Sequence, residues 1–175
     1  MLRIRSIFSC GLALAAFTMT AAAQRYISPP ADTSVTIDGK QISIAYYSPS
    51  MHGRTIMGSL VPYGEVWCPG ANWATKLKTE ADLEIGGLKL AKGSYSLWAI
   101  PNEKEWTLIV NKQPDQFHLD YNQDQDLGRT KMIVTKVEKP VESLTIRLTA
   151  AGDHKGKLAI SWENTEASIP FTVMK

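Results

Sequence analysis

Cys68 is the single thiol that remains once an N-terminal leader containing Cys10 is set aside, and His52, His118 and His154 could in principle serve it as a base. A cysteine attacks as its thiolate, which requires a positioned base and a lowered pKa, so a cysteine–histidine hydrolase is one chemistry these residue types allow. Nothing near Cys68 in the sequence supplies either requirement, and a partly buried, small apolar residue is the reading favoured there. The histidines lie far apart and form no His-x-His or His-x-x-x-His pair, so no zinc site is indicated. Asp120, Asn122, Asp124 and Asp126 alternate oxygen ligands as a calcium loop begins to do. The pattern then fails, because Gln125 stands where such a loop turns on glycine and Lys131 where a bidentate glutamate closes it. A solvated acidic loop is expected instead. No catalytic residue, metal site or cofactor is assigned.

Binding chemistry has better material. Flat rings offer a platform for a sugar face or another planar ligand, and Tyr63, Trp67 and Trp73 lie together in a stretch too irregular for ladder pairing. Tyr47, Arg54 and Asn72 add polar groups to the same region, so these six residues are the expected lining of a pocket or ridge formed by residues 46–75. Trp106 and Trp162 share parity with Leu108, Val110, Leu158 and Ile160 and are expected in the core. Trp98 shares parity with both Ser94 and Ile100, which leaves its face open.

The elements that must position these groups are strands. Period-two alternation recurs from residue 33 to the end, and no helical stripe persists for three turns. Val35 and Ile37 alternate into Asp38-Gly39 and out through Ile42, Ile44 and Tyr46, a hairpin signal. A second hairpin turns at Gly86-Gly87, and a third at Pro101-Asn102, between Ser94–Ile100 and the Trp106, Leu108, Val110 row. An irregular polar stretch is expected from Asn111 to Asp126. Further rows follow at 131–137, 144–148 and 158–162, with Pro140 as a breaker, and Ile169, Phe171 and Val173 close the chain. Nine or ten short strands predict an all-β, two-sheet antiparallel sandwich. Residues 48–73 carry Pro49, Gly53, Gly58, Pro62, Gly64, Pro69 and Gly70 among many apolar side chains, so this segment is expected to pack across the sandwich or over an open edge.

Residues 1–23 read as a cleaved signal peptide: Arg3 and Arg5 lead an apolar run from Ile7 to Phe17 that ends at Ala21-Ala22-Ala23. The run is too short for a permanent span, and no second candidate follows, so the mature chain, residues 24–175, is expected to be exported without a transmembrane segment, to periplasm or beyond. Its size suits one domain. The leader arginines account for the surplus of 19 bases over 17 acids, and no basic cluster suggests nucleic acid or an anionic membrane.

The block Leu60-Val-Pro-Tyr-Gly-Glu-Val-Trp-Cys-Pro-Gly-Ala-Asn-Trp-Ala-Thr75 and the block Leu83-Glu-Ile-Gly-Gly-Leu-Lys-Leu-Ala-Lys-Gly-Ser-Tyr-Ser-Leu-Trp-Ala-Ile-Pro101 carry a resemblance to the bacterial domain-of-unknown-function family numbered 2911. It extends through Glu105–Asn111, Leu158–Trp162 and Ile169-Pro-Phe171, nearly all of the mature chain. The resemblance implies an exported single β-sandwich domain of a bacterial envelope or its surroundings, and brings no activity. Where the family pattern has Trp-Arg-Thr-Gly-Ala-Asn-Glu, this chain has Cys68-Pro69 for Arg-Thr and Trp73 for Glu. If the missing pair serves family chemistry, this chain has lost it or changed its ligand; if it is a structural ion pair, Cys68 and Trp73 replace it apolarly, an exchange that can be neutral for stability and is the simpler account. The expectation is therefore a non-catalytic binding or accessory module of the envelope, taking a small-molecule, glycan or protein ligand. Two alternatives stand beside it: an enzyme of undescribed type built on His52, Arg54 and Asn72, and a structural envelope protein that docks another chain through the 48–73 segment.

Overall fold

A computed structural model describes residues 27–175; the expected leader lies outside them. Nine strands follow in chain order: β1 Pro30–Ile37, β2 Lys40–Tyr47, β3 Thr75–Thr79, β4 Leu83–Ile85, β5 Leu88–Leu90, β6 Gly93–Ile100, β7 Glu105–Asn111, β8 Asp126–Ala150 and β9 Lys155–Val173. One 3-10 turn, Gln123–Gln125, precedes β8. Both expected Gly-containing hairpins form, and for the expected reason. Asp38 and Gly39 have φ of 52° and 72°, and Gly86 and Gly87 have 53° and 87°, the left-handed pair that matches a two-residue hairpin to the twist of its strands.

The strands do not divide into two sheets. All nine join one antiparallel sheet in the order β1-β2-β3-β6-β7-β8-β9-β4-β5, which corrects the expected sandwich. The cause lies in β8 and β9, each of which absorbs two of the expected short strands. Pro140 does not end β8; it sits where the β8–β9 register slips between Lys136 and Val141, and a second slip follows before Thr145. Such slips bend a strand without breaking its ladder, so the sheet continues around the bend. It curls far enough for its first strands to reach β8: the Leu148 amide donates to Thr33 Oγ1 at 3.2 Å and the Ile146 amide to the Tyr46 hydroxyl at 3.1 Å. The concave side encloses the main core, with Trp106 and Trp162 buried in it as their parity predicts. β8 also begins earlier than expected, at Asp126, directly after the irregular stretch.

The Gly/Pro-rich segment packs against this sheet. Near the β8 bend it acts as a stub strand, with Ser50 bridged to Ser143, the Met51 amide donating to Glu142 O at 2.8 Å and the Leu144 amide to Pro49 O at 2.9 Å. Further on, Trp67 and Ala99 exchange two 2.8 Å backbone bonds at the end of β6. Residues 72–74 then pair with 116–118 and hold that loop over the outer face of β6 and β7, where Cys68, Ala74, Trp98 and Ile109 form a second, smaller core. Among the described residues no helix is long and apolar enough to cross a membrane.

Candidate functional site

The route of the 48–74 segment across the sheet end leaves a cavity of about 570 Å³. Its floor is aromatic: Trp67, Trp98 and Trp162 line it. Trp67 stacks on Trp162 at 6.2 Å, inclined by 16°, and meets Trp106 edge-on at 5.8 Å, so its backbone bonds to Ala99 and its ring contacts fix one orientation. Leu60, Val61 and Val66 of the Gly/Pro-rich segment and His118, Leu119 and Tyr121 of the stretch after β7 continue the lining. Ser50 and Arg54 also line it. Arg54 Nε donates to Met51 O at 2.9 Å and its Nη2 to Ser50 O at 2.7 Å, which holds the guanidinium against its own loop.

The titratable groups here are arranged for neutrality. Cys68 is 2% exposed, and burial pushes its thiol up to about 11, against weaker opposing hydrogen bonds from Thr75. A thiol in that range is protonated at neutral pH and is no nucleophile, which corrects the hydrolase chemistry its residue type allowed. Burial likewise lowers the pKa of His118, with the charge of Asp120 pulling the other way, so the imidazole is neutral near pH 7. Tyr121 is pushed up to about 12 by burial and by donating to Asp126 Oδ2 at 2.7 Å, while Arg129 opposes the rise.

Asp126 is the anchor of the stretch that sequence reading compared with a calcium loop. Its carboxylate accepts from Tyr121, from Arg129 and from Asn111 Nδ2, and Asn122 Oδ1 accepts from the Asp124 amide. Asp126 thus holds Tyr121 over Trp98, 5.1 Å between ring centres. No group of three or more His, Cys, Asp or Glu among the described residues is placed to hold a metal ion. His154, the remaining histidine, bonds the Asp38 carboxylate at the β1–β2 turn, far along the chain from this site.

The six residues expected to line one pocket are divided among several places. Arg54 and Trp67 line the large cavity. Tyr47 and Trp73 line a second cavity, of about 460 Å³, on the outer face of β1–β3. Tyr63 lines a third depression beside the turn at Asn102–Glu105, its ring lying against Gly58 so closely that a Cβ there would come within 2.9 Å. Asn72 lines none of the three; it adopts φ 61° and its carbonyl accepts from the His118 amide at 3.1 Å, a structural turn. Of His52, Arg54 and Asn72, Arg54 alone lines any of these three cavities. The division arises because the segment crosses the sheet end between Trp67, bridged to Ala99 of β6, and Trp73, bridged to Phe117, which puts these rings on different faces. Sequence reading missed Tyr121, His118 and Gln116 as lining residues; all come from the polar stretch after β7, whose docking through the 72–74 pairing is a tertiary contact.

The family model described as protein of unknown function (DUF2911) matches residues 28–171. No curated protein and no solved structure matches the chain.

Proposed function

The chain belongs to the DUF2911 family, and we propose that it is an exported, non-catalytic binding module that holds an apolar, ring-bearing small molecule in the Trp67 cavity. The observation that carries this reading is the cavity itself: about 570 Å³, floored by Trp67, Trp98 and Trp162, with Arg54, His118 and Tyr121 at its walls. That volume falls in the range of small-molecule sites, which combine an apolar lining with a few placed polar groups. Trp98 and Trp162 are 2% exposed and back the site, while Trp67, half-buried and held against Trp162 and Trp106, loses little freedom on binding, so the face it offers a flat ligand is preorganised. A protonated Cys68 and a neutral His118 make this an uncharged interior apart from Arg54. The leader-like residues 1–23 support export, and an envelope address follows from them.

Titration with the apolar dye N-phenyl-1-naphthylamine tests the site. Saturable one-to-one binding with quenching of tryptophan emission is expected. Leu60→Trp, at an exposed lining position, fills the mouth and should weaken dye binding by at least tenfold with little change in melting temperature. Non-saturable binding, or binding that Leu60→Trp leaves intact, would refute the assignment.

A further inference from the structure

We propose that the second cavity, on the outer face of β1–β3, is a separate site for a neutral saccharide, with Trp73 as its stacking platform. Its floor and near wall come from alternation: Asp32 pairs with Ala45 and Pro30 with Tyr47, so these side chains share the face opposite the core, and Lys76 pairs with Ala45 on the next strand. Ala45 is small, and a hollow of about 460 Å³ forms above it. The far wall is the loop carrying Asp115 and Gln116, held in place by the Ala74 amide donating to Gln116 O at 2.9 Å.

Trp73 and Phe117 form the pair between the two backbone bonds of this ribbon, the arrangement in which opposite side chains emerge together on one face. Trp73 is 58% exposed. An indole that lines a hollow while half of it faces water offers an apolar plane whose burial waits on a ligand. Around it stand both donors and acceptors. Lys76 pairs with Asp115 at 2.5 Å, which cancels two charges while leaving ammonium hydrogens and a second carboxylate oxygen, and Asp32 adds an acceptor on the opposite side.

Gln116 supplies the independent observation. It lines this cavity at 5% exposure; one end of its amide is spent on Ser96 Oγ, at 3.0 Å, and the other end has no protein partner. The oxygen at that end is itself covered, so a bound hydroxyl reaches it when the Gln116 side chain turns toward the cavity, and then satisfies a group whose unpaired burial costs stability. A pyranose meets these demands together: an apolar C–H face for the indole and a rim of hydroxyls for Asp32, Lys76, Asp115 and Gln116. An anion would face the Asp32 carboxylate, and a cation would face the Lys76 ammonium.

The test uses the mature protein with maltohexaose, cellohexaose and chitohexaose as probes, read by isothermal calorimetry and tryptophan emission. At least one is expected to bind at micromolar to millimolar concentration, with an affinity that changes less than twofold between 50 and 500 mM NaCl. Trp73→Ala should weaken it at least tenfold without lowering the melting temperature, Trp73→Phe should restore part of the loss, and Asp115→Asn should leave binding measurable. Leu60→Trp, which blocks the other cavity, should leave it unchanged, so the two sites fail or stand separately. Absence of binding by all three probes at 10 mM, indifference to Trp73→Ala, or preference for choline chloride over every oligosaccharide overturns the proposal.

Discussion

Alkaline pH should destabilise this protein in part through Cys68, and the Cys68 share is predictable. The thiol is buried beside Thr75 and Trp98, and its pKa rises from the ordinary 9.0 to about 11. Below pH 9 both the folded and unfolded chains hold the proton, and the group has no effect. Above pH 9 the unfolded chain releases it while the folded chain keeps it until about 11, so the folded state binds more protons and stability falls as pH rises across that window. At 1.36 kcal/mol per pKa unit the full effect is about 3 kcal/mol, of which about 2 kcal/mol is lost by pH 10.5. Urea unfolding of the wild type and Cys68→Ala under reducing conditions, at pH 8.0 and 10.5, isolates it, because tyrosine titration is common to both. The variant should start about 1 kcal/mol less stable, from the lost sulfur packing, and then lose about 2 kcal/mol less on going to pH 10.5. The same shift reduces the thiolate fraction at pH 8 roughly a hundredfold, so Ellman's reagent should react with the native protein at least that much more slowly than with the urea-unfolded chain. Parallel pH dependences, or native reactivity equal to that of a free thiol, would refute the burial argument and restore Cys68 as a candidate nucleophile.

Gly156→Ala should destabilise the fold by about 1–3 kcal/mol in thermal unfolding, because a Cβ at Gly156 meets the Phe171 ring within 2.2 Å and the ring is locked in the core. Acid should act through Glu166: burial alone would raise its pKa, but hydrogen bonds from Ser161 and Arg147 and the charges of Lys157 and Arg147 outweigh it and hold the carboxyl below its usual value. Its contribution is thus full above pH 4.5 and lost as pH falls below that, so Glu166→Gln should flatten the acid limb of a melting-temperature profile between pH 5 and 2.5. Asn72→Gly should be tolerated within about 0.5 kcal/mol, whereas Asn72→Val, forced into a left-handed φ of 61°, should cost about 1–2 kcal/mol by urea unfolding.

Local pattern was a sufficient guide where a feature depends on near neighbours. Asp38-Gly39 and Gly86-Gly87 specify their turns because a left-handed residue pair needs only its own two side chains to be permissive. Trp106 and Trp162 are in the core because side-chain parity along a strand is a covalent property. Trp98 shows the limit of parity: it lies on the outer face yet is 2% exposed, since a loop remote in sequence covers that face and its Nε1 donates to Ser96 Oγ.

Sheet number was not local in the same sense. Pro140 reads as a breaker from its missing amide, but the amide is not needed where the β8–β9 ladder already slips, and so two expected strands became one bent strand that carries a single sheet around the core. The candidate sites depend even more on distant contacts. Trp67 and Trp73 are six residues apart in sequence, yet they serve different cavities because Ala99 claims the first and Phe117 the second. The chain's own alternation and turn residues therefore determined that this protein is built of strands, where it turns and that Trp106 and Trp162 enter the core; the burial of Trp98, and which aromatic groups share a pocket, were decided only by tertiary docking, because cavities form between segments whose pairing no residue spacing encodes.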